Sequence, residues 1–137
     1  MIRISHAGLC VAAALLAAAC GGGDGTGSAA PGPGVLTVSL HDPNTSDRAV
    51  VLTLSGPGEI TSVQPANASH AVYTRTQGTT TRVAVFGTIS DGALLTLSVP
   101  DASRAQDYAA TVVDAADASN AARASVSGYT ATVKRGS

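Results

Sequence analysis

Residues 35–55 read VLTVSLHDPNTSDRAVVLTLS. Leu36, Val38 and Leu40 alternate with Thr37 and Ser39. After the turn signal Asp42-Pro43-Asn44 the beat resumes with Val50, Leu52 and Leu54 around Val51 and Thr53. A strand sends successive side chains to opposite faces, so each run has an apolar face and a face rich in hydroxyls.

The same alternation continues through the chain. Val83 and Val85 flank Ala84; Leu95, Leu97 and Val99 flank Thr96 and Ser98. Tyr108, Ala110 and Val112 alternate with Ala109 and Thr111, and Tyr129, Ala131 and Val133 with Thr130 and Thr132. Weaker strands are expected at 59–64 and 70–76. Gly56-Pro57-Gly58, Asp91-Gly92, Pro100-Asp101 and Ser127-Gly128 supply turns between them. About eight short strands at this spacing predict an all-β, antiparallel Greek-key β-sandwich over residues 35–134. Residues 114–125, DAADASNAARAS, are ambiguous: Ala allows a helical turn, while Asp, Ser and Asn favour loop.

Composition narrows the function classes. The chain of 137 residues has 12% charged residues, with 8 Lys+Arg against 9 Asp+Glu. Nucleic acid is an unsuitable partner, because binding it needs a basic patch that displaces counterions. No polybasic attraction to anionic lipid is expected either. Both cysteines, Cys10 and Cys20, precede the strands, so thiolate catalysis and Cys-ligated zinc are excluded for the domain.

The N-terminal segment reads as an address. Arg3 precedes the uncharged run AGLCVAAALLAAA at 7–19, the n-region and h-region of a secretory signal peptide. The run is too short to span a bilayer, which takes about 20 apolar residues. It ends in Ala17-Ala18-Ala19-Cys20, which resembles the lipobox of bacterial lipoproteins. The usual Leu three places before the Cys is Ala17 here, with Leu16 one place earlier. The resemblance implies cleavage before Cys20 and acylation of its thiol, giving a lipid anchor in place of a membrane-spanning helix. With Gly21 following, it also implies the outer membrane in a Gram-negative cell. Residues 20–34 then form a lipidated Cys and linker, with seven Gly in GGGDGTGSAAPGPG. Such a segment cannot bury apolar surface and is expected to be flexible, spanning roughly 20 Å.

The domain carries a wider resemblance. The segments VLTVSLHDP, AVVLTLSGPG, TRVAVFGTISDGALLTLSVPD and DYAATVVDAADASN resemble cohesins and family-2/3 carbohydrate-binding modules over about residues 35–134. The same order is similar to a group of uncharacterised secreted bacterial proteins. The likeness is one of strand pattern and transfers no functional residue.

Candidate sites are few. Asp101 … Asp107-Tyr108 resembles the tyrosine corner of Greek-key sandwiches, in which a Tyr hydroxyl bonds back to nearby backbone. Tyr108 is therefore expected to be structural. His41 and His70 lack the neighbours that Ser-His-Asp chemistry needs, and adjacent His41 and Asp42 should face opposite ways. Asp114, Asp117 and Asn120 offer oxygens to calcium, but there is no DxDxDG loop and Asx turns account for them better. Strand parity sends Tyr108 and Tyr129 inward, leaving Phe86 and Tyr73 as exposed aromatics. Coplanar exposed rings would favour a glycan; a broad apolar sheet face would favour a protein. The expectation is a non-enzymatic, membrane-tethered binding or scaffold module of the cell envelope, with no cofactor and no metal. A glycan-binding module is the alternative, and a hydrolase the weaker one.

Overall fold

The inward members of the alternating runs meet between two sheets. The computed structural model describes residues 30–137. The signal segment 1–19, Cys10, Cys20 and the first part of the linker lie outside the described residues. The strands are β1 (Gly34–His41), β2 (Asp47–Ser55), β3 (Ser62–Pro65), β4 (Ala71–Gln77), β5 (Thr80–Phe86), β6 (Gly92–Val99), β7 (Ala109–Asp117) and β8 (Thr130–Arg135). One sheet has the order β3-β6-β1-β8 and the other β4-β5-β2-β7. Every pairing is antiparallel. Only the β4–β5 hairpin keeps consecutive strands in one sheet, so neighbours in space are remote in sequence, as in a Greek-key sandwich.

Leu36 and Val38 of β1, Leu52 of β2, Val83 and Val85 of β5 and Leu95 of β6 are fully buried. Their apolar area, removed from water, is the main stabilising contribution of the fold. Three register shifts adjust the alternation, one of them on β2 between Asp47 and Ala49, where Asp47 and Val50 are both buried. On β6 the register with β1 slips between Val38 and Ser39, which turns both Leu94 and Leu95 inward. On β7 the register with β2 slips between Val51 and Leu52, so Val113 and Asp114 both face solvent and Ala115 is buried. A bulge inserts one extra residue and so resets which face each later side chain takes.

Three details differ from the sequence expectation. The ambiguous stretch 114–125 begins as strand to Asp117 and then turns back, with Asn120 at φ 61. Asp117 Oδ1 accepts from the Ser119 and Ala121 N–H groups at 2.8 and 3.1 Å, which gives this carboxylate a turn-capping role. The β6–β7 connection is a 3₁₀ helix, Ala102–Asp107, capped by the Asp101 carboxylate on Ser103 N at 3.0 Å. The linker is also held before Val35. Gly32 N–H donates to Asp101 Oδ1 at 3.4 Å, Ala102 N–H donates to Gly32 O at 2.9 Å, and β1 begins at Gly34 opposite Val99.

The tyrosine corner needs correction. Tyr108 is 6% exposed and packs its ring over Gly56, where an added Cβ would lie 2.2 Å from the ring. Its hydroxyl, however, bonds to no protein group among the described residues. The 3₁₀ helix satisfies its own backbone and closes on Tyr108 N–H, which donates to Ala105 O at 3.2 Å. The hydroxyl lies beside Gly58 and keeps contact with solvent.

Candidate functional site

The outer faces of the two sheets differ. On β3-β6-β1-β8 the outward positions include Thr37, Ser39, Thr96, Ser98, Thr130 and Thr132, a face of hydroxyls. On β4-β5-β2-β7 the register lines up four rows across the sheet. The first runs Ala71, Phe86, Ala49, Ala116; the second Tyr73, Ala84, Val51, Asp114. The third runs Arg75, Arg82, Thr53, Thr111; the fourth Gln77, Thr80, Ser55, Ala109. The first two rows are apolar up to Asp114 at the far edge, and the last two are polar and basic.

Tyr73 is 66% exposed and Phe86 46% exposed. Their rings meet edge to face, with centroids 5.8 Å apart and planes at 77°. That contact is favourable, but the rings share no plane on which a flat sugar could stack. A shallow hollow of about 290 Å³ joins Tyr73, Val51 and Ala84 to the two arginines. A second, of about 310 Å³, lies between Arg75, Arg82, Thr53, Gln77 and Thr80.

Arg75 and Arg82 sit directly opposite each other on adjacent strands. Like charges so placed destabilise a sheet. Neither guanidinium has a hydrogen-bond or ion-pair partner among the described residues. The arginine pair escaped the sequence reading, although a signal was present. Gln77 pairs with Thr80 across Gly78-Thr79, a two-residue hairpin loop with Gly78 at φ 61. Counting outward from that loop pairs Arg75 with Arg82 and Tyr73 with Ala84.

A second cluster lies at the far end of the sandwich, between the β1–β2 and β7–β8 connections. Asp47 is fully buried and accepts from Arg123 Nε at 2.8 Å, from Arg123 Nη2, and from the Tyr129 hydroxyl. Asn44 Nδ2 donates to the same hydroxyl at 2.7 Å, and Arg123 Nη2 reaches Ser46 Oγ at 3.0 Å. Burial pushes the Asp47 carboxyl up, but the Tyr129 and Arg123 donors outweigh it and leave it below its ordinary value. Burial and the Asp47 carboxylate push the Tyr129 phenol up to about 12. Asp42 accepts from Asn44 N–H at 2.8 Å through Oδ1, while its buried Oδ2 has no partner. Burial raises Asp42, as do the carboxylates of Asp47 and Asp91, against the lowering effect of Asn44 N–H. Asp47 stands within hydrogen-bonding reach of Asp42 once one of the two carries a proton. These contacts clamp two loops together. No three His, Cys, Asp or Glu side chains among the described residues gather to hold a metal ion.

The histidines take structural places. His41 faces outward, 3.1 Å from Asp91 Oδ2 and exposed, while Asp42 turns inward. His70 Nε2 donates to Thr88 O at 2.9 Å, and the neighbouring Ser69 hydroxyl bonds to Asn67. Among the described residues neither histidine lines up with both a serine nucleophile and an acid. Tyr108 lies in the core, away from the outer face of either sheet, and Cys20 lies outside the described residues. Compared with known proteins, the chain matches no family, no curated protein and no solved structure.

Proposed function

We propose that this protein is a non-enzymatic lipoprotein of the cell envelope whose β-sandwich holds a protein partner on the outer face of β4-β5-β2-β7. The lipobox-like Ala17-Ala18-Ala19-Cys20 supplies the tether, in the outer membrane of a Gram-negative cell. One observation carries the choice of face: Tyr73 and Phe86 stand exposed over Val51, Ala84 and Ala49 as a joined apolar patch. Contiguous exposed apolar surface rimmed by polar groups is typical of interaction sites, and aromatics with arginine are typical of their centres. The edge-to-face rings favour a protein over a glycan, because a polysaccharide module needs ring faces lying together.

The test compares capture from the native envelope by the full-length protein and by two variants. Tyr73→Ser with Phe86→Ser should lose the captured partner, while Thr37→Glu with Thr132→Glu on the opposite sheet should keep it. Equal capture by all three, or loss only with the second variant, overturns the reading. Retention on insoluble polysaccharide that depends on Tyr73 would replace it with the glycan alternative.

A further inference from the structure

We infer that the partner presents an extended acidic segment, which adds to the free edge of β4 and sets a carboxylate on Arg75 and Arg82. The inference rests on the protein-binding reading of this face and names the chemistry of the occupant.

The argument begins with the edges. A sandwich of two open sheets has four edge strands, and unpaired N–H and C=O groups along an edge invite another strand. β3 has only four residues and ends at Pro65. The edge of β7 is covered near Ala116 by the returning chain, where Arg123 N–H donates to Ala115 O and Asp117 N–H to Ala121 O. β8 has six residues and lies against β7 and the 3₁₀ helix. β4 is different. It runs seven residues without Pro or bulge, in unbroken register with β5, and all but Val72 are exposed. Alternate residues of such a strand turn their N–H and C=O groups away from β5.

A strand added there would lie about 4.8 Å from β4 and send alternate side chains to the outer face. On that face it would meet Tyr73, Arg75 and Gln77 of β4 in turn. Residues two apart on the incoming strand would therefore face Tyr73 and Arg75. The first position suits an apolar side chain, which would extend the Tyr73–Phe86 patch. The second suits a carboxylate. Arg75 and Arg82 repel each other and lack partners, so an acidic group between them removes a repulsion while making charge-assisted hydrogen bonds to two guanidinium forks. An Asp or Glu two residues from a Leu, Val or aromatic is the motif this geometry reads.

The probe is a labelled peptide, Thr-Glu-Thr-Leu-Thr-Glu-Thr, titrated by fluorescence anisotropy into the full-length protein held in detergent. Binding should weaken about tenfold in Arg75→Glu with Arg82→Glu, and that variant should instead take the Lys counterpart of the peptide. Both side chains are exposed, so circular dichroism should be unchanged. A peptide N-methylated on the groups that would pair with β4 should not bind. The inference is overturned if the N-methylated peptide binds equally well, if the charge reversal changes nothing, or if neither peptide binds. It is also overturned if polygalacturonate binds in an arginine-dependent way while the peptide does not. If envelope capture depends on Tyr73 and Phe86 but is indifferent to the charge reversal, the acidic segment fails and the docking face stands.

Discussion

Tyr108 and Tyr129 occupy similar positions, each just before a strand and each inward, yet they differ in what the hydroxyl does. Tyr129 donates to buried Asp47, whereas the Tyr108 hydroxyl has no protein partner among the described residues. Tyr129→Phe should therefore cost about 1–3 kcal/mol, because it leaves an Asp47 oxygen buried without its donor. Tyr108→Phe should unfold near the wild-type urea concentration, and Tyr108→Ala should cost about 3–5 kcal/mol through the cavity it leaves. Urea titration of the three variants checks the contrast; a large loss in Tyr108→Phe would restore the corner bond. The alternation gave burial of both rings, since parity is a property of the strand. It could not give the hydroxyl partners, because those depend on loops meeting from residues 42–47 and 123–129. The Asp pair follows the same logic with opposite signs. Asp42 is raised in the fold, so it destabilises at neutral pH and that penalty fades as pH falls toward its ordinary value of 3.8. Asp47 is lowered, so its contribution is present above 3.8 and is lost as pH falls through its folded value. Asp42→Asn should then raise stability at pH 7 by roughly 1 kcal/mol, its amide donating to Asp47, with the gain shrinking toward pH 4. Asp47→Asn should lower stability at pH 7 by about 3 kcal/mol. Urea midpoints between pH 4 and 8 separate the two, and parallel pH profiles would contradict the assignment.

At the scale of elements, strands were legible wherever the period of two ran unbroken and obscure wherever a bulge broke it. The run Leu95, Leu97, Val99 gave β6, but nothing in the pattern marks Leu94 as the residue that joins the core with it. Counting straight from Tyr108 would send Asp114 inward; the bulge at Val113 spares the carboxylate burial and delivers it to the outer face. The 3₁₀ helix was hidden because six residues are too few to show a helical period. The β4–β5 hairpin is legible as two runs, at 70–76 and around Val83 and Val85, but its pairing lies in a turn that the sequence reading passed over. Its loop, Gly78-Thr79, fixes the register that aligns Tyr73, Arg75 and Arg82 into the candidate site. Gly78 has φ 61, and no atom within 4 Å would obstruct a side chain there, so substitution meets backbone strain alone. Gly78→Val should cost about 1–2 kcal/mol and Gly78→Asn less, because Asn accepts a positive φ more readily than a β-branched residue. Thermal melts of the two variants check this. Equal loss in both would mean that the side chain, and not the backbone angle, is at fault.

For the whole molecule, the entry of the described chain and the candidate site bear a fixed relation. β1 enters the sandwich at Gly34, beside Val99 and Ala102, and the start of β7 with Ser55, Gln77 and Thr80 lies at the same end. The arginine rows are thus nearer the entry of the chain, and the Phe86 row and the Asp47 cluster lie at the opposite end. Lipidation itself is tested by mass spectrometry of the mature N-terminus, which should show acylated Cys20. Cys20→Ser should abolish attachment and Cys10→Ser should not; a mature chain starting elsewhere without lipid would remove the tether. The sequence placed the domain boundary at residue 35 because alternation begins there, while the fold starts earlier. Gly32 is bonded to both Asp101 and Ala102, and Gly34 pairs with Val99 while packing so closely that a Cβ would lie 2.7 Å from Ala102 Cβ. Those bonds fasten the incoming chain to the β6–β7 connection, the segment that also positions Tyr108. A fragment 30–137 and a fragment 35–137 should both unfold cooperatively and ignore chelator, since the core is common to both. The shorter one should be less stable by about 1–3 kcal/mol, because Ala102 N–H and the Asp101 carboxylate lose partners and the first β1 pairing disappears. Equal urea midpoints would mean that residues 30–34 rest on the fold without stabilising it, and the linker would then end where the alternation first placed it.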